Sequence, residues 1–156
     1  MLHLNKLIVW IFISNSIWLA GCCKIEKEEE LFIFGRYFGE CIGDCCTFYK
    51  LTDHTLLPDV EDYFNNKKIN FSQHPLPEIK ENLVRDLFND FPTSLFNIKE
   101  PVIGCPDCAD QGGYYLEIMK EGINYSWNID KWSPDTDAIV KSYLDKIDVT
   151  LIQLRN

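Results

Sequence analysis

The chain has 156 residues, of which 46% are hydrophobic, 25% charged and 13% aromatic, a composition typical of one globular domain rather than of a disordered segment. Its formal net charge of −9 argues against nucleic acid as a partner, because an acidic surface repels a phosphate backbone. The same charge disfavours membrane attachment through a basic patch, so a membrane-bound form would need a covalent anchor.

Residues 1–21 are predicted to be a lipoprotein signal peptide. Lys6 precedes a wholly apolar run over residues 7–13, and a second apolar run ends in Leu-Ala-Gly-Cys at positions 19–22. The apolar stretch is shorter and more interrupted than the ~20 residues that a membrane-spanning helix needs. Positions 19–22 resemble the bacterial lipobox. This resemblance implies cleavage before Cys22 and lipidation of its thiol, and two or three acyl chains would anchor the protein stably to a membrane.

Residues 22–30 are expected to form the lipidated cysteine and an acidic tether. Cys23 follows the lipidated residue, so the aspartate that is best known to signal inner-membrane retention is absent. Residues 27–29, Lys-Glu-Glu, resemble a surface-export signal of Bacteroidota-type lipoproteins. The alternative is that they only space the domain from the lipid. We therefore expect an outer-membrane lipoprotein that faces the periplasm or the cell surface.

Residues 31–156 are predicted to be a single α+β domain. An aromatic strand over residues 31–38, interrupted at Gly35, can pair with a second strand over residues 47–51. Residues 53–75 are polar and are predicted to be mostly loop. After Pro77, apolar residues at three- and four-residue spacing predict an amphipathic helix that ends before Pro92.

The second half of the domain is predicted to contain a β-hairpin and a helix. Two short strands are expected within residues 94–103. Longer strands over residues 114–119 and 123–129 are joined by a tight turn at Glu121-Gly122. Ser133-Pro134-Asp135 is typical of a helix start. The element order predicts an antiparallel sheet of hairpins that is covered on one face by two amphipathic helices.

Two cysteine motifs carry a family resemblance. Residues 41–46, Cys-Ile-Gly-Asp-Cys-Cys, precede an aromatic strand, and residues 105–113, Cys-Pro-Asp-Cys-Ala-Asp-Gln-Gly-Gly, precede a hairpin. Together with the C-terminal helix, this pattern resembles a group of small Bacteroidota-type lipoproteins over about residues 31–154. The resemblance implies an envelope location and an α+β fold, and it transfers no catalytic residue.

Disulfide bonds are the favoured interpretation of the cysteines, because an exported protein meets an oxidising compartment. A bridge from Cys45 or Cys46 to Cys105 or Cys108 would close a loop of roughly 60 residues and stabilise the fold by about 4 kcal/mol. Local bridges such as Cys41–Cys46 or Cys105–Cys108 would contribute less. The sequence leaves the connectivity open. Besides Cys22, the cysteines are Cys23, Cys41, Cys45, Cys46, Cys105 and Cys108.

Redox chemistry and zinc binding are the alternatives for the same cysteines. Cys105 and Cys108 have the Cys-Pro-x-Cys spacing of some thiol–disulfide oxidoreductases. Gly112, however, leaves little room for the helix start that stabilises such a thiolate, and Asp107 would raise the thiol pKa. Four thiolates could instead bind zinc, although oxidation competes for them. That set would comprise Cys41, Cys45 or Cys46, Cys105 and Cys108.

The sequence favours a non-enzymatic binding or interaction module that needs no cofactor and whose ligand, protein or small molecule, is not specified. His54 and His74 lie in polar loop, and no Gly-x-Ser-x-Gly motif supplies a serine nucleophile. The alternative function is a thiol–disulfide oxidoreductase or a zinc-binding module that uses Cys105 and Cys108.

Overall fold

The computed structural model describes residues 30–64 and 68–156. These residues form a six-stranded sheet and two α-helices, which confirms the predicted α+β class. The sheet order is β3-β2-β1-β5-β6-β4, and every neighbouring pair is antiparallel except β4 and β6, which are parallel. The elements are β1 (Leu31–Tyr37), β2 (Cys46–Thr52), β3 (Leu56–Pro58), α1 (Glu78–Asn89), β4 (Val102–Ile103), β5 (Gly113–Lys120), β6 (Ile123–Ile129) and α2 (Ala138–Arg155).

β1 occupies the middle of the sheet, between β2 and β5. Its predicted pairing with β2 is confirmed, but the predicted interruption at Gly35 is wrong. Gly35 lies within the strand because the backbone of β2 approaches it closely. A Cβ atom at position 35 would lie 2.1 Å from the carbonyl oxygen of Thr47. The glycine therefore permits the close approach of two strands instead of ending one.

The β5–β6 hairpin forms as predicted, with bounds that differ by one residue at each end of β5. Glu121 and Gly122 connect the strands, and both have positive φ angles, of 54° and 72°. Two positive φ angles are the property of a type I′ turn, whose twist matches that of the flanking strands.

Two other strand predictions need comment. Residues 53–75 are mostly loop, as predicted, but they also contain β3, which pairs with β2 and forms an edge of the sheet. Residues 94–103 contain one strand instead of two, since Thr93–Asn97 forms a 3-10 helix. β4 then runs parallel to β6, so the sheet is not built entirely of hairpins.

The C-terminal helix begins later than the sequence predicted. The side chain of Asp137 accepts a hydrogen bond from the backbone N–H of Val140 at 2.8 Å and caps α2. The hydroxyl of Ser133 instead accepts from the N–H of Asp135 within the preceding turn. Both serine and aspartate can cap a helix, and here the serine belongs to the turn that leads from β6.

Buried apolar side chains among the described residues form two clusters. The larger includes Phe34 of β1, Trp127 of β6, Val84 of α1 and Leu144 of α2. The smaller is centred on Phe48 and is flanked by partly buried side chains that come from Phe64, Ile69 and Phe71. Both surfaces of the sheet therefore contribute buried side chains, which fits the alternation of side chains along a strand.

The predicted signal peptide, Cys22 and most of the acidic tether lie outside the described residues. Within residues 30–64 and 68–156, no helix has the length and apolar character that crossing a membrane requires.

Candidate ligand-binding site

Four of the cysteines form two local pairs at disulfide distance. The Cα atoms of Cys41 and Cys45 are 5.6 Å apart, and those of Cys105 and Cys108 are 5.5 Å apart. Of the pairings that the sequence left open, the local Cys105–Cys108 bridge forms. The long-range bridge between the two motifs does not, and Cys41 pairs with Cys45 instead of Cys46.

Cys46 is a buried free thiol. Its Sγ donates to the carbonyl oxygen of Glu61 at 3.0 Å and lies 3.5 Å from the carboxylate of Asp59. Burial raises the pKa of Cys46 to about 12, and the negative charge of Asp59 adds to this effect. Burial also raises the pKa of Asp59, to about 6. The thiol is thus held in its protonated, unreactive form.

The Cys105–Cys108 loop is exposed and is held by Asp107. The carboxylate of Asp107 accepts from the N–H of Gly112 at 2.9 Å and from the N–H of Gly39 at 2.6 Å. The second contact joins this loop to the segment that leads into Cys41. Residues 105–112 form turns instead of a helix, so the helix start that would stabilise a Cys105 thiolate does not occur.

A metal centre at the cysteines would require a different arrangement of their thiols. Cys41, Cys45, Cys105 and Cys108 are committed to two pairs. In the part of the chain that the structure describes, no three His, Cys, Asp or Glu side chains are grouped so that they could hold a metal ion.

A cleft of about 420 Å³ lies near the cysteine loops, between the C-terminal half of α2 and the β1–β2 connection. We call it the arginine cleft, because two arginines from distant parts of the chain line it beside apolar and acidic side chains. Its lining residues are Arg36, Phe38, Asp44, Cys45, Cys46, Thr47, Asp148, Leu151, Ile152 and Arg155.

Arg36 is placed by β1 on the side of the strand that carries Phe32 and Phe34, because side chains alternate along a strand. Its guanidinium lies over the aromatic ring of Phe38, with the Cζ atom 4.7 Å from the ring centroid, and Tyr114 and Trp132 are also within 6 Å. Aromatic faces stabilise a cation that is partly removed from water. The Nε atom is buried and has no hydrogen-bond partner among the described residues.

Asp148 of α2 contacts three polar side chains at the end of the cleft where Arg36 lies. Its carboxylate accepts from the Tyr114 hydroxyl at 2.8 Å, pairs with Lys131 at 2.8 Å and lies 3.6 Å from Arg36. Burial and the hydrogen bond to Asp148 raise the pKa of Tyr114 to about 12. Burial alone would lower the pKa of Lys131, but its hydrogen bonds to Asp145 and Asp148 outweigh that effect and raise it.

Arg155, near the C-terminus of α2, supplies the second guanidinium. Its Nη2 atom donates to the hydroxyl of Thr47 and lies 3.7 Å from the carboxylate of Asp44. More than half of each charged side chain is exposed, so this ion pair is weak. At one end of the cleft, the carboxylate of Asp148 therefore has several partners. At the other end, the guanidinium of Arg155 has, among the described residues, only a weak ion pair with Asp44 besides its hydrogen bond to Thr47.

Neither Arg36 nor Arg155 is among the functional residues that the sequence predicts. A signal for Arg36 was present, since an arginine at an alternate position with Phe32 and Phe34 is a charge on a largely apolar strand surface. Such a residue needs partners when it is partly buried. Nothing comparable marks Arg155, which lies in an ordinary helical pattern and reaches the cleft only through the packing of α2.

Comparisons with known proteins assign no family. No protein-family model matches the chain. No curated protein is similar to it in sequence.

Proposed function

We propose that this protein is a lipid-anchored, non-enzymatic binding module and that the arginine cleft holds its ligand. The observation that carries the proposal is the convergence of Arg36 and Arg155 on one concave site that also has apolar side chains, Leu151 and Ile152. Guanidinium groups bind carboxylate, sulfonate and phosphate oxygens with high geometric specificity. The cleft thus suits a small ligand, or a peptide end, that joins an anionic group to an apolar body.

The charges of the cleft support an anionic ligand despite the acidity of the chain. Asp148 already accepts hydrogen bonds from Tyr114 and Lys131 and forms an ion pair with Arg36, so little of its charge is left to repel a ligand. Asp44 is largely exposed, and its carboxylate lies 3.7 Å from the guanidinium of Arg155. A ligand oxygen could approach this guanidinium more closely than Asp44 does. Desolvation in the cleft would strengthen such a contact relative to one in open water.

Binding fits the chemistry of the cleft better than catalysis. Cys46 is among the lining residues, but its thiol donates to the carbonyl oxygen of Glu61 and its pKa is raised to about 12, so it is a poor nucleophile near neutral pH. A guanidinium group has N–H donors and no acceptor, so Arg36 and Arg155 are suited to hold an anion and not to act as general bases. The site offers fixed positive charge and shape.

Location at a membrane is the second part of the proposal. Its support is the lipobox at positions 19–22, together with the resemblance of residues 31–154 to small Bacteroidota-type lipoproteins. We propose that lipid on Cys22 holds the domain at the outer membrane, facing the periplasm or the cell surface. Cys22→Ala should abolish labelling by radioactive palmitate and leave the precursor uncleaved. Normal processing of this variant would contradict the proposal.

Both helices are proposed to cover the same face of the sheet. The larger buried cluster supports this arrangement, because it combines Val84 of α1 and Leu144 of α2 with Phe32 and Phe34 of β1. Residues at alternate positions of a strand share one face. The arginine cleft would then lie where α2 leaves the end of that face.

The ligand site can be tested with 8-anilinonaphthalene-1-sulfonate, a fluorescent probe that combines a sulfonate with an apolar aromatic body. Arg155→Gln should weaken its binding at least about fivefold, because one charge-assisted contact is lost. Lys99→Gln is the matched control, since it removes one exposed positive charge outside the cleft. The proposal fails if the two variants bind the probe alike, or if neither differs from the unaltered chain.

Thiol–disulfide exchange at Cys105 and Cys108 is the second candidate, favoured by the exposure of both residues on one loop. A catalytic pair would reduce insulin in the presence of dithiothreitol, and Cys105→Ser would abolish this activity. A zinc-binding role would require reduction of both local pairs before metal could bind. If the chain does not reduce insulin, and if the reduced chain does not take up zinc, both alternatives fail and ligand binding at the arginine cleft is favoured.

A further inference from the structure

A second concave surface lies on the other side of α2, between α1 and α2. We call it the helix-pair groove. It has a volume of about 460 Å³ and follows α2 from Ser142 to Gln153. A neighbouring cavity of about 310 Å³ shares Ser142 with it and continues past Ile139. Because a helix rises 1.5 Å per residue, the combined surface is roughly 20 Å long, which is about four helical turns.

The floor of the groove is apolar and partly exposed to solvent. Leu83, which is partly buried, and Leu87, which is buried, contribute from α1, and Val149 contributes from α2. Val149 is 55% exposed, and Ile139 in the neighbouring cavity is 66% exposed. Exposed aliphatic side chains that line one continuous depression are typical of a surface that another apolar side chain covers.

The rim of the groove is acidic. Asp86, Asp90 and Asp145 line it, and Lys146 is the only cation among its lining residues. Lys146 forms an ion pair with Asp90 at 2.7 Å, and both side chains are more than half exposed. Such a pair is weak and easily replaced by a cation from another molecule. The residues that line the groove therefore carry two more negative charges than positive ones, and one of these acids, Asp145, also forms an ion pair at 2.7 Å with Lys131, which lies outside the groove.

The charges on the chain argue against two possible occupants of the groove. Residues 22–30 contain two lysines and four glutamates, so the tether is itself acidic. A second copy of the chain carries a net charge of −9 and would bring further negative charge to an acidic rim. An occupant that complements the groove must bring positive charge along with an apolar stripe.

We propose that the helix-pair groove docks a cationic amphipathic helix from a partner protein. The partner would place aliphatic side chains at i, i+3, i+4 and i+7 on Leu83, Leu87 and Val149, as in other helix-in-groove complexes. Lysine or arginine on its flanks would meet Asp86, Asp90 and Asp145. This surface is independent of the arginine cleft, so the protein would hold a ligand on one side of α2 and a partner on the other.

The test uses the whole chain and a fluorescein-labelled, end-capped peptide of 15 residues. The peptide has leucine at positions 1, 4, 5, 8, 11, 12 and 15 and lysine at all others. Its binding is followed by fluorescence anisotropy at low salt. The control is a peptide of the same composition in which the leucines do not share a helical face. We expect the amphipathic peptide to bind at least about tenfold more tightly than the control. Equal binding of the two, or no binding, overturns the proposal.

Two residues of α2 provide a matched pair of variants. Val149 lines the helix-pair groove, and Ile152, three residues later and 63% exposed, lines the arginine cleft. Val149→Lys should weaken binding of the amphipathic peptide at least about tenfold, whereas Ile152→Lys should change it less than about twofold. Asp86→Lys should also weaken binding, through charge alone.

Equal effects of the two α2 variants would mean unspecific attraction to an acidic protein and would overturn the proposal. Sedimentation of the unaltered chain tests the other occupant. A dimer that Val149→Lys dissociates would assign the groove to a second copy and would also overturn the proposal.

Discussion

Arg36 of β1 and Asp148 of α2 face each other at the arginine cleft, with Nη1 of the guanidinium 3.6 Å from Oδ1 of the carboxylate. The pair joins the central strand of the sheet to the last helix. Because Asp148 also accepts from Tyr114 and Lys131, it balances a positive charge that β1 brings next to buried aromatic rings. The stability of the domain and the proposed ligand binding therefore both depend on this carboxylate.

Replacement of Asp148 by alanine should destabilise the domain by about 1–3 kcal/mol, because the hydroxyl of Tyr114 and the charges on Arg36 and Lys131 lose an acceptor. Asp145→Ala is the control, since Asp145 also pairs with Lys131 but is 69% exposed. Its replacement should cost less than about 1 kcal/mol. Urea unfolding measures both values, and a loss at position 145 as large as that at position 148 would contradict the role given to Asp148.

Gly35→Ala should destabilise the domain by about 3 kcal/mol or prevent folding, because the new methyl group would meet the carbonyl oxygen of Thr47. Gly122→Ala is the matched change in a hairpin turn. It has a φ of +72° but nothing within 4 Å of its Cβ position, so only backbone strain of about 1 kcal/mol is expected. Thermal unfolding compares the variants, and similar losses would argue against the close approach of β2 to Gly35.

Cys46 should resist alkylation in the folded protein. Because burial and Asp59 raise its pKa to about 12 from the ordinary value of 9.0, the thiolate fraction at pH 8 falls by about a thousandfold. In a variant with both Cys22→Ser and Cys23→Ser, iodoacetamide should leave the native domain unlabelled and add one group after unfolding without reduction. Rapid labelling of Cys46 in the native state would show that the thiol is accessible and ionised.

Asp59 should make the domain less stable as the pH rises through about 4 to 6. Burial raises its folded pKa to about 6 from the ordinary value of 3.8, so the folded state binds a proton more tightly than the unfolded state. The stabilising contribution is complete below about pH 4 and is lost above pH 6. Asp59→Asn should remove this part of the pH dependence, as measured by urea unfolding between pH 4 and 7.5. An unchanged slope would contradict the raised pKa.

The two local disulfides should each contribute less than a long-range bridge would. The chain-entropy relation gives about 2 kcal/mol for a loop of four or five residues, against about 4 kcal/mol for one of 60. The double variant Cys105→Ser, Cys108→Ser should therefore lose about 2 kcal/mol of unfolding free energy. Peptide mapping without reduction checks the connectivity directly, and a peptide that links residues 41–46 to residues 105–108 would refute the local pairing.

The elements that the sequence predicted well are those whose signals are local. The β5–β6 hairpin follows from two alternating runs around Glu121-Gly122, and α1 follows from its apolar spacing between Pro77 and Pro92. β4 could not be predicted as a parallel strand, because a strand of two residues carries no sequence signal for the partner or the direction of its pairing with β6. The start of α2 was misplaced because Ser133 and Asp137 are both capable caps, and only the turn after β6 selects between them.

The candidate site was predicted less well than the fold. The two cysteine motifs could be recognised because their residues are close together in the sequence. The sequence left the pairing of these cysteines open. The arginine cleft depends on Arg36 and Arg155, which are 119 positions apart in the chain and meet only when α2 packs beside β1. Residue spacing and composition do not predict that these two arginines line one cleft. The single signal is the charge at position 36 on an otherwise apolar strand surface.

The central position of β1 determines the order in which the domain can be completed. β1 pairs with β2 across a short connection, but its other edge must wait for β5, which begins at Gly113. Closing that long interval has a high entropic cost, so the step should be slow compared with hairpin formation. If the chain crosses a membrane from its N-terminus, as proposed, the edge of β1 that pairs with β5 would stay unpaired until most of the sequence had crossed, and in that interval it would be open to pairing with other chains.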